Sequence, residues 1–527
     1  MVSKKEIVVG FDLGTGTCLV GLLEADHRVT ILPTLGGETM IPSAVYFETD
    51  GSILVGGPAY NRVLANPHRG VLNVKRMMGQ CDSQNQPIPA MIHPDTHQPL
   101  SPQEVASNLI RQMLQSVERE NNVTVAGVVV TCPAYFLDSS RVATRQAVEM
   151  ADYKVLHIIN EPTAAAVAFG LEKKEKGTLL FVDAGHGTTD TTILIAEKTD
   201  TTILMAEKNN FRVLATQGNC ELGGANLDEL MVEHALKAFK EKTGKAIDTA
   251  KDLEVIYDLR DKMSRAKRDL STVEKVMVNI AAHGKHLALT ITRDEFNRMI
   301  QPLVEQMLVL TKETLSAAEL GWAQIDEVVL VGGTTYIPYL REQIRLLSGK
   351  QPRTNMNPIE AVVKGASIIA RDVATRKIPG TKPTDTAGRI VPGINTTITD
   401  VNSHPLGVLA YDKYGEGGVL RNSVIIAANT PLPAQKQQRF ELTDPRQTQA
   451  RITIVQGPPD ALEAECVNIG EVLLENLPPD PNTDRIQITY AYNIDGILEV
   501  SATDTISGLS TNGRIEHRAG ILGAPGA

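Results

Sequence analysis

The chain has 527 residues, 42% of them apolar and 22% charged, which is typical of a globular protein with about three or four domains. Its 62 acidic residues outnumber its 52 Lys and Arg residues and give a net charge of −10. That balance disfavours nucleic acids and anionic membranes as partners, because both are bound by basic surfaces.

The sequence also argues against a secreted or membrane-spanning protein. No stretch reaches the 18 apolar residues of a spanning helix, and the N-terminal sequence MVSKKEIVVGFDLG has no signal-peptide pattern. The cysteines form no C-x-x-C pair, which disfavours a disulfide framework or a zinc site: Cys18, Cys81, Cys132, Cys220 and Cys466. We therefore expect a cytoplasmic location.

Up to about residue 375, short β-branched runs alternate with longer amphipathic segments, which predicts an α/β fold. The runs predict strands at 7–9, 128–130, 179–182 and 328–331. The amphipathic segments predict helices at 102–118, 140–151 and 227–242.

A ten-residue segment is repeated in tandem within this region. Thr189–Lys198 and Thr199–Lys208 match at nine of ten positions, which indicates a local duplication. Because ten is even, either copy could occupy the same strand with its apolar face inward. We expect one copy to be a core strand and the other to extend or bulge a hairpin, and the sequence leaves open which is which.

After residue 400 the helical periodicity ends and short alternating segments appear, as at 451–455 and 485–489. This pattern predicts an all-β domain that ends near residue 515. The stretch from Lys377 to Asp400, rich in Pro, Thr and Gly, predicts a linker.

Three segments place glycines and hydroxyl residues directly after an apolar strand: Gly10–Thr17, Phe181–Asp190 and Val331–Thr335. Glycine allows the backbone to approach a ligand closely, and its N–H groups can cradle phosphate oxygens. Asp12 and Asp183 would be repelled by phosphates unless they serve Mg²⁺ through its water shell. No G-x-x-x-x-G-K-[ST] motif is present, so the P-loop class does not apply.

The sequence resembles the seventy-kilodalton heat-shock chaperone family, of the DnaK type. The motifs DLGTGT, VLNVKRMMGQ, CPAYFLDSSR, INEPTAAAVAFGL, VDAGHGTTD, LGGANLD and VLVGGTTYIP occur in the family's order, and NTPLP, ITIVQG and DGILEVSATD continue the match. The resemblance implies an α/β, actin-like, two-lobed ATPase domain at 1–388 and an interdomain linker at 389–400. A β-sandwich substrate-binding domain would follow at 401–515, with a short tail at 516–527.

The resemblance also implies the residues of an ATPase site. Five would carry hydrolysis by positioning and charge neutralisation: Asp12, Lys75, Glu161, Asp183 and Thr188. Lys75 resembles the lysine that orients the attacking water, and Asp12 and Asp183 would hold Mg²⁺ through water. The residues implied to bind ATP or ADP are Gly14, Thr15, Gly16, Thr17, Gly185, Gly187, Gly223, Gly224, Lys267, Arg268, Ser271, Gly332, Gly333 and Tyr336.

Four positions depart from the family pattern: Ser264 replaces a glutamate, Tyr336 an arginine, Ile359 an aspartate, and His186 the middle of a triple glycine. Each lost polar contact is worth about 1 kcal/mol. We therefore expect ATP to bind more weakly than in typical members while the hydrolytic residues are retained.

The resemblance further implies an ATP-dependent stress-response chaperone. Its implied partners are unfolded polypeptide clients, a J-domain co-chaperone and a nucleotide exchange factor. Pro133 and Arg141 resemble residues that relay the nucleotide state to the linker. The linker segment Thr396–Asp400 is less apolar than the family's, so we expect weaker or different docking of the two domains. His157 stands where DnaK-type members have an arginine that contacts J-domain partners, so that docking would be altered. We expect a monomer.

The β-domain would hold extended peptides by backbone hydrogen bonds and one apolar pocket. Its channel is expected near six residues, which could equally be core residues of the sandwich: Leu406, Val408, Val419, Leu420, Phe440 and Ala450. The family's helical lid has no counterpart before Ala527, which would let peptides dissociate quickly.

Two other functions remain open at this stage. The departures at His186, Ser264 and Tyr336 would suit a non-hydrolysing nucleotide- or peptide-binding scaffold on the same fold. A small-molecule kinase of the actin-like superfamily would share the phosphate turns, but the EPTAAA helix and the β-sandwich argue against it.

Overall fold

The computed structural model describes residues 5–82, 86–173, 177–201, 206–353, 356–377, 384–387, 389–391, 396–412 and 418–514. The tail predicted at 516–527 lies outside these residues. No helix in the described ranges combines the length and the hydropathy needed to cross a bilayer.

The first lobe is built on a mixed sheet of strand order β11-β10-β1-β2-β3, in which β4 also pairs with β2. A helix of this lobe begins at a capping box, in which Ser101 and Glu104 satisfy each other's backbone N–H groups. The elements of the lobe are β1 (Lys5–Asp12), β2 (Thr17–Leu23), β3 (Val29–Ile31), β4 (Ile41–Pro42), β5 (Ala44–Phe47), β6 (Ile53–Val55), α1 (Gly56–Ala65), β7 (Gly70–Leu72), β8 (Met91–Ile92), β9 (Pro99–Leu100), α2 (Pro102–Asn121), β10 (Val123–Cys132), α3 (Asp138–Met150) and β11 (Val155–Asn160).

The second lobe has its own sheet, of strand order β17-β12-β13-β14, and an edge strand from the linker pairs with β14. Its elements are α4 (Glu161–Lys173), β12 (Gly177–Ala184), β13 (Thr189–Thr201), β14 (Ala206–Asn219), α5 (Gly224–Thr243), α6 (Leu253–Asp269), β15 (Lys275–Ala282), β16 (Lys285–Thr292), α7 (Arg293–Ala317), β17 (Glu327–Val331), α8 (Pro338–Ser348) and α9 (Ala361–Lys377).

Helices α4 and α9 pack against each other between the sheets of the two lobes, and α9 also packs against β1. They approach most closely at Gly365, where an added Cβ would lie 1.7 Å from the carbonyl oxygen of Ala164. A larger residue at this position would force the helices apart. The crossing fixes the distance between the strand ends that carry the candidate site.

The remaining strands form the linker strand and a sandwich of two antiparallel four-stranded sheets, of order β20-β19-β22-β23 and β21-β24-β25-β26. They are β18 (Thr396–Thr399), β19 (Leu406–Tyr411), β20 (Leu420–Ile426), β21 (Ala434–Glu441), β22 (Ala450–Gln456), β23 (Val467–Leu474), β24 (Asp484–Tyr492), β25 (Leu498–Asp504) and β26 (Ser510–Arg514). The predicted fold class, an actin-like α/β domain followed by an all-β sandwich, is confirmed.

Three residues expected near the peptide channel lie instead in the sandwich core. Leu406, Val408 and Ala450 are buried there among the apolar side chains of both sheets. Val419, by contrast, is exposed. The core alternative is therefore correct for the first three, because alternation places them on the inward faces of β19 and β22.

The structure also distinguishes the two copies of the duplicated segment. The first copy forms the buried part of β13, with Ile193 and Leu194 in the core. The second copy begins at Thr199 and returns through β14, since Thr201 pairs with Ala206 and Lys198 with Asn209. The first copy is thus the core strand, and the second extends the hairpin beyond it.

Candidate functional site

Two glycine-rich turns touch each other at the centre of the first domain. The first joins β1 to β2 and the second joins β12 to β13. An added Cβ on Gly187 would lie 2.6 Å from the hydroxyl oxygen of Thr15, so the turns are in contact. Within the described residues, no acceptor pairs with the backbone N–H groups of Thr15, Gly16, His186 or Gly187. Unpaired N–H groups on adjacent turns form a cradle suited to phosphate oxygens.

Four buried carboxyl groups lie beside these turns, at the ends of three strands and one helix: Asp12, Glu161, Asp183 and Asp190. Burial and the charge of Glu161 raise the pKa of Asp12 to about 7 and that of Asp190 to about 7. The same two causes raise the pKa of Asp183 well above its ordinary value. Mutual repulsion of this kind marks a place where a cation stabilises the ionised carboxylates.

Lys75 provides one cation at this position. It lies on a short 3₁₀ turn, Val74–Met77, is 2% exposed and forms an ion pair with Glu161. Burial opposes its charge, but Glu161 and Asp12 outweigh burial and raise its pKa. Lys75 is therefore a buried, permanently charged group that faces the carboxylates.

The carboxylates fit a hydrated Mg²⁺. Asp183 and Asp190 each have one buried Oδ2 atom without a hydrogen-bond partner, so each retains a free acceptor for a metal-bound water. Across the described ranges, no three His, Cys, Asp or Glu side chains are close enough to hold a metal directly. The arrangement thus suits binding through the water shell, which Mg²⁺ usually keeps in part.

Thr188 follows the second turn and is buried. Asp190 lies two residues further along and was missed by the sequence analysis. Its Oδ1 atom accepts the backbone N–H of Tyr135 at 3.1 Å. The signal that could have found it is the end of the motif GHGTTD, where a carboxylate follows the second turn.

Lys267 lies at the same centre, whereas two other residues predicted to bind the nucleotide lie at its edge. Lys267 donates to the carbonyl of Gly224 at 2.6 Å and pairs with Asp228 at 2.9 Å. Arg268 is exposed and donates back to the carbonyl of Ser264 at 3.4 Å. Ser271, just beyond α6, donates to the carbonyl of Lys267 at 3.5 Å. Asp228 was not predicted, since its role depends on the helix crossing.

A third glycine-rich turn follows β17 and lies on the remaining side of the site. Gly332 adopts φ 82°, and an added Cβ there would lie 2.3 Å from the carbonyl oxygen of Ala184. Gly333 begins a 3₁₀ turn that ends at Tyr336. Tyr336 is 41% exposed, and its ring lies 5.2 Å from the guanidinium carbon of Arg341. Tyr336 is therefore placed at the rim.

Arg76, the neighbour of Lys75, connects the two lobes across this centre and was also missed. Its Nη2 atom donates to the carbonyl of Gly187 at 2.9 Å and to the Oδ1 atom of Asn226 at 2.6 Å. Asn226 in turn accepts the N–H of Gly223 at 3.0 Å. The motif NVKRMMG marks this position, but its partners are 111 and 150 residues away.

The sandwich and the linker dock on the first domain through polar contacts that we call the interdomain joint. Asp495, in the turn after β24, pairs with His157 and with Arg145 at 3.2 Å. Arg141 donates to the backbone carbonyl of Asp495 at 3.4 Å. Asp400, at the end of the linker, accepts hydrogen bonds from Asn160 at 2.9 Å and Thr163 at 3.1 Å.

A second part of the joint centres on Asp138 at the start of α3. Tyr492 donates its hydroxyl to Asp138 at 2.5 Å, and the backbone N–H of Asp138 donates to Gln456 at 3.2 Å. Burial raises the pKa of Asp138 to about 6. Among these residues the sequence analysis had identified Arg141 and His157, both on the first-domain side of the joint.

Comparisons with known proteins place this geometry in context. A family model described as Hsp70 protein matches residues 8–524. Chaperone protein DnaK of Thermotoga neapolitana is 34% identical over 518 residues, which are 96% of this chain and 80% of the relative. The DnaK of Thermotoga maritima is 34% identical over 519 residues with the same coverage, and that of Thermosipho melanesiensis is 33% identical over 516 residues.

Proposed function

The chain belongs to the Hsp70 family of ATP-dependent chaperones, and we propose that it hydrolyses ATP at the two touching turns after β1 and β12. The observation that carries this placement is the buried Lys75–Glu161 pair beside Asp12 and Asp183. It sets one fixed cation and several carboxylates against a cradle of unpaired backbone N–H groups.

In this proposal the cradle holds the phosphates and Lys75 orients the attacking water while it balances negative charge. Glu161 holds Lys75 in place, and Thr188 faces the terminal phosphate. Asp12 and Asp183 would hold Mg²⁺ through its water shell, and Mg²⁺ would neutralise charge on the phosphates. Positioning and charge neutralisation are what phosphoryl transfer demands of a protein.

The nucleoside end would lie toward α6 and the turn after β17. Lys267 supports this assignment because it reaches Gly224 at the start of α5. Arg268, Ser271 and Tyr336 are proposed as rim contacts that close on the base when ATP binds.

We further propose the broader features of the family for this chain. Residues 1–388 would act as the nucleotide-binding domain and 401–515 as the domain that binds extended, apolar segments of unfolded proteins, with 389–400 coupling them. The partners would be a J-domain co-chaperone and a nucleotide exchange factor, and the chain would work as a cytoplasmic monomer. The composition and the net charge of −10 support this soluble, non-nucleic-acid role.

The test is ATP turnover by the purified protein, with and without an unfolded model peptide. We expect slow turnover that rises with peptide, falls by about 100-fold or more in Lys75→Ala, and is unchanged in Lys285→Ala, an exposed lysine on β16. Equal turnover in Lys75→Ala and the wild type would refute the assigned roles. Turnover without any peptide response would refute the coupling alone.

A further inference from the structure

His186 lies on the second turn, between two residues whose roles in the site are proposed above. An added Cβ on Gly16 would lie 3.0 Å from the Cγ atom and 3.2 Å from the Cδ2 atom of His186. The imidazole ring therefore lies directly over the Cα atom of Gly16, on the first turn. It spans the two turns that carry the unpaired N–H groups.

The backbone of the second turn is tied down, so the ring is the part that can move. Gly185 and His186 accept hydrogen bonds from the N–H groups of Gly224 at 3.0 Å and Ala225 at 2.7 Å. Arg76 donates to the carbonyl of Gly187 at 2.9 Å. Three residues in succession are thus fixed to α5 and to the first lobe. A change of side-chain rotamer breaks none of these bonds.

The ring is also uncharged at neutral pH and so offers phosphate no fixed cation. Burial and the nearby cations Lys267, Arg76 and Arg268 lower the pKa of His186 to about 3. What the ring contributes to the site is therefore bulk. A phosphate oxygen must come within about 2.9 Å of a backbone nitrogen to accept its hydrogen bond, and the ring packs against Gly16, one of the residues whose N–H would make such a bond.

We propose that His186 is a gate of the nucleotide site: its ring closes over the first turn and must swing aside before a nucleoside triphosphate or diphosphate can enter the cradle. This inference rests on the proposed placement of the phosphates at the two turns. It makes His186 a residue that sets the affinity and the rate of nucleotide binding, and it does not assign His186 a part in the hydrolytic step.

The experiment measures the association rate and the Kd of a fluorescent ATP analogue by stopped-flow mixing. In His186→Gly we expect association to be about ten-fold faster and the Kd to be lower by a similar factor. His186→Phe keeps a ring of similar bulk without nitrogens, so it should stay close to the wild type. His186→Ala is a second variant, expected to follow His186→Gly, in case the glycine loosens the turn.

Each outcome separates the possibilities. A higher Kd in His186→Gly would mean that the imidazole contacts the nucleotide, and an unchanged Kd would mean that the ring is no obstacle. Either result would overturn the gate. The proposed nucleotide site would stand in both cases, provided that the wild type binds ATP. Fast binding by His186→Phe would also overturn it, because bulk would not matter. If no variant binds ATP saturably, the phosphate placement fails and the gate fails with it.

Discussion

Thr396, the first residue of the linker strand β18, buries a hydroxyl that has no hydrogen-bond partner. Its side chain is 7% exposed and its Oγ1 atom is unpaired, although its backbone N–H donates to Asp372 at 2.9 Å. Leaving a buried hydroxyl unpaired costs about 1–3 kcal/mol. The docked linker therefore carries a polar group that weakens it.

Replacing this residue by its apolar isostere, Thr396→Val, should strengthen linker docking by about 1 kcal/mol. The β-branched shape is retained, so strand propensity is unchanged. Slower amide hydrogen exchange at 396–399 is the expected result. Thr397→Val, at the exposed neighbouring position, is the control and should change the exchange little. Faster exchange in Thr396→Val would contradict the unpaired state of the hydroxyl.

At the scale of single residues, the sequence predicted residues whose roles the motifs themselves imply and missed residues whose roles depend on distant partners. The glycines of both turns follow from local patterns, because a tight turn needs specific residues in sequence, whereas Lys75 was implied by the family resemblance. Asp228 and Arg76 gain their roles only when α5, α6 and the first lobe meet. Both lie inside quoted motifs, NVKRMMG and LGGANLD, but their partners Asn226 and Lys267 are distant in sequence, so the motifs alone do not reveal these contacts.

At the scale of elements, the extended β13–β14 hairpin shows how the fold tolerates a duplication. Ten added residues lengthen both strands and leave inward-facing positions inward, since side chains alternate with a period of two. The linker strand pairs with β14 just beyond the added residues, from Asn209 with Thr396 to Arg212 with Thr399. The sequence predicted the hairpin but not which copy is buried, as the copies are nearly identical.

Deleting the second copy, residues 199–208, should leave a folded protein. Lys198 would then be bonded directly to Asn209. Since Glu197 already pairs with Asn210, Lys198 and Asn209 would form a two-residue hairpin loop and the pairing of the two strands would keep its register. Only the pairing of Asn209 with Thr396 would be lost from the linker. We expect the thermal midpoint to stay within about 4 °C of the wild type.

The matched control is deletion of the first copy, residues 189–198, which yields the same sequence except that Met replaces Ile195. The two deletions should therefore melt alike and turn over ATP alike. Unfolding of both would show that the outer rows of the hairpin are required for stability.

At the scale of the whole molecule, docking of the sandwich is polar and depends on residues far apart in the chain. Asp138 meets Tyr492 from 354 positions away, and Arg145 meets Asp495 from 350. Periodicity and motifs predict each domain because they report local burial. They carry no information on which charged surface of one domain meets the other, so the joint could not be predicted in detail.

Because the joint buries carboxyl groups, its strength should depend on pH. Docking raises the pKa of Asp138 from an ordinary 3.8 to about 6, through burial. The docked state thus binds the proton of Asp138 more tightly than the undocked state does. The contribution of this proton to docking is therefore complete below about pH 3.8 and is lost as the pH rises through about 6. Between pH 7 and pH 5 docking should strengthen about ten-fold on account of Asp138. Burial also raises the pKa of Asp400, which adds a dependence of the same sign.

Asp138→Asn isolates the contribution of Asp138, because an asparagine Oδ1 atom still accepts the hydrogen bond from the hydroxyl of Tyr492 but cannot titrate.

The measurement is the urea concentration at which the sandwich separates from the first domain, read from the radius of gyration in small-angle X-ray scattering at pH 7 and pH 5. In the wild type this midpoint should rise on acidification. In Asp138→Asn it should start higher at pH 7 and rise less, with Asp400 accounting for what remains. Arg141 stays charged throughout this range and lies near position 138 in both proteins, so it cannot produce the difference. An equal rise in both proteins would mean that Asp138 keeps its charge in the docked state and contributes nothing to the pH dependence of docking.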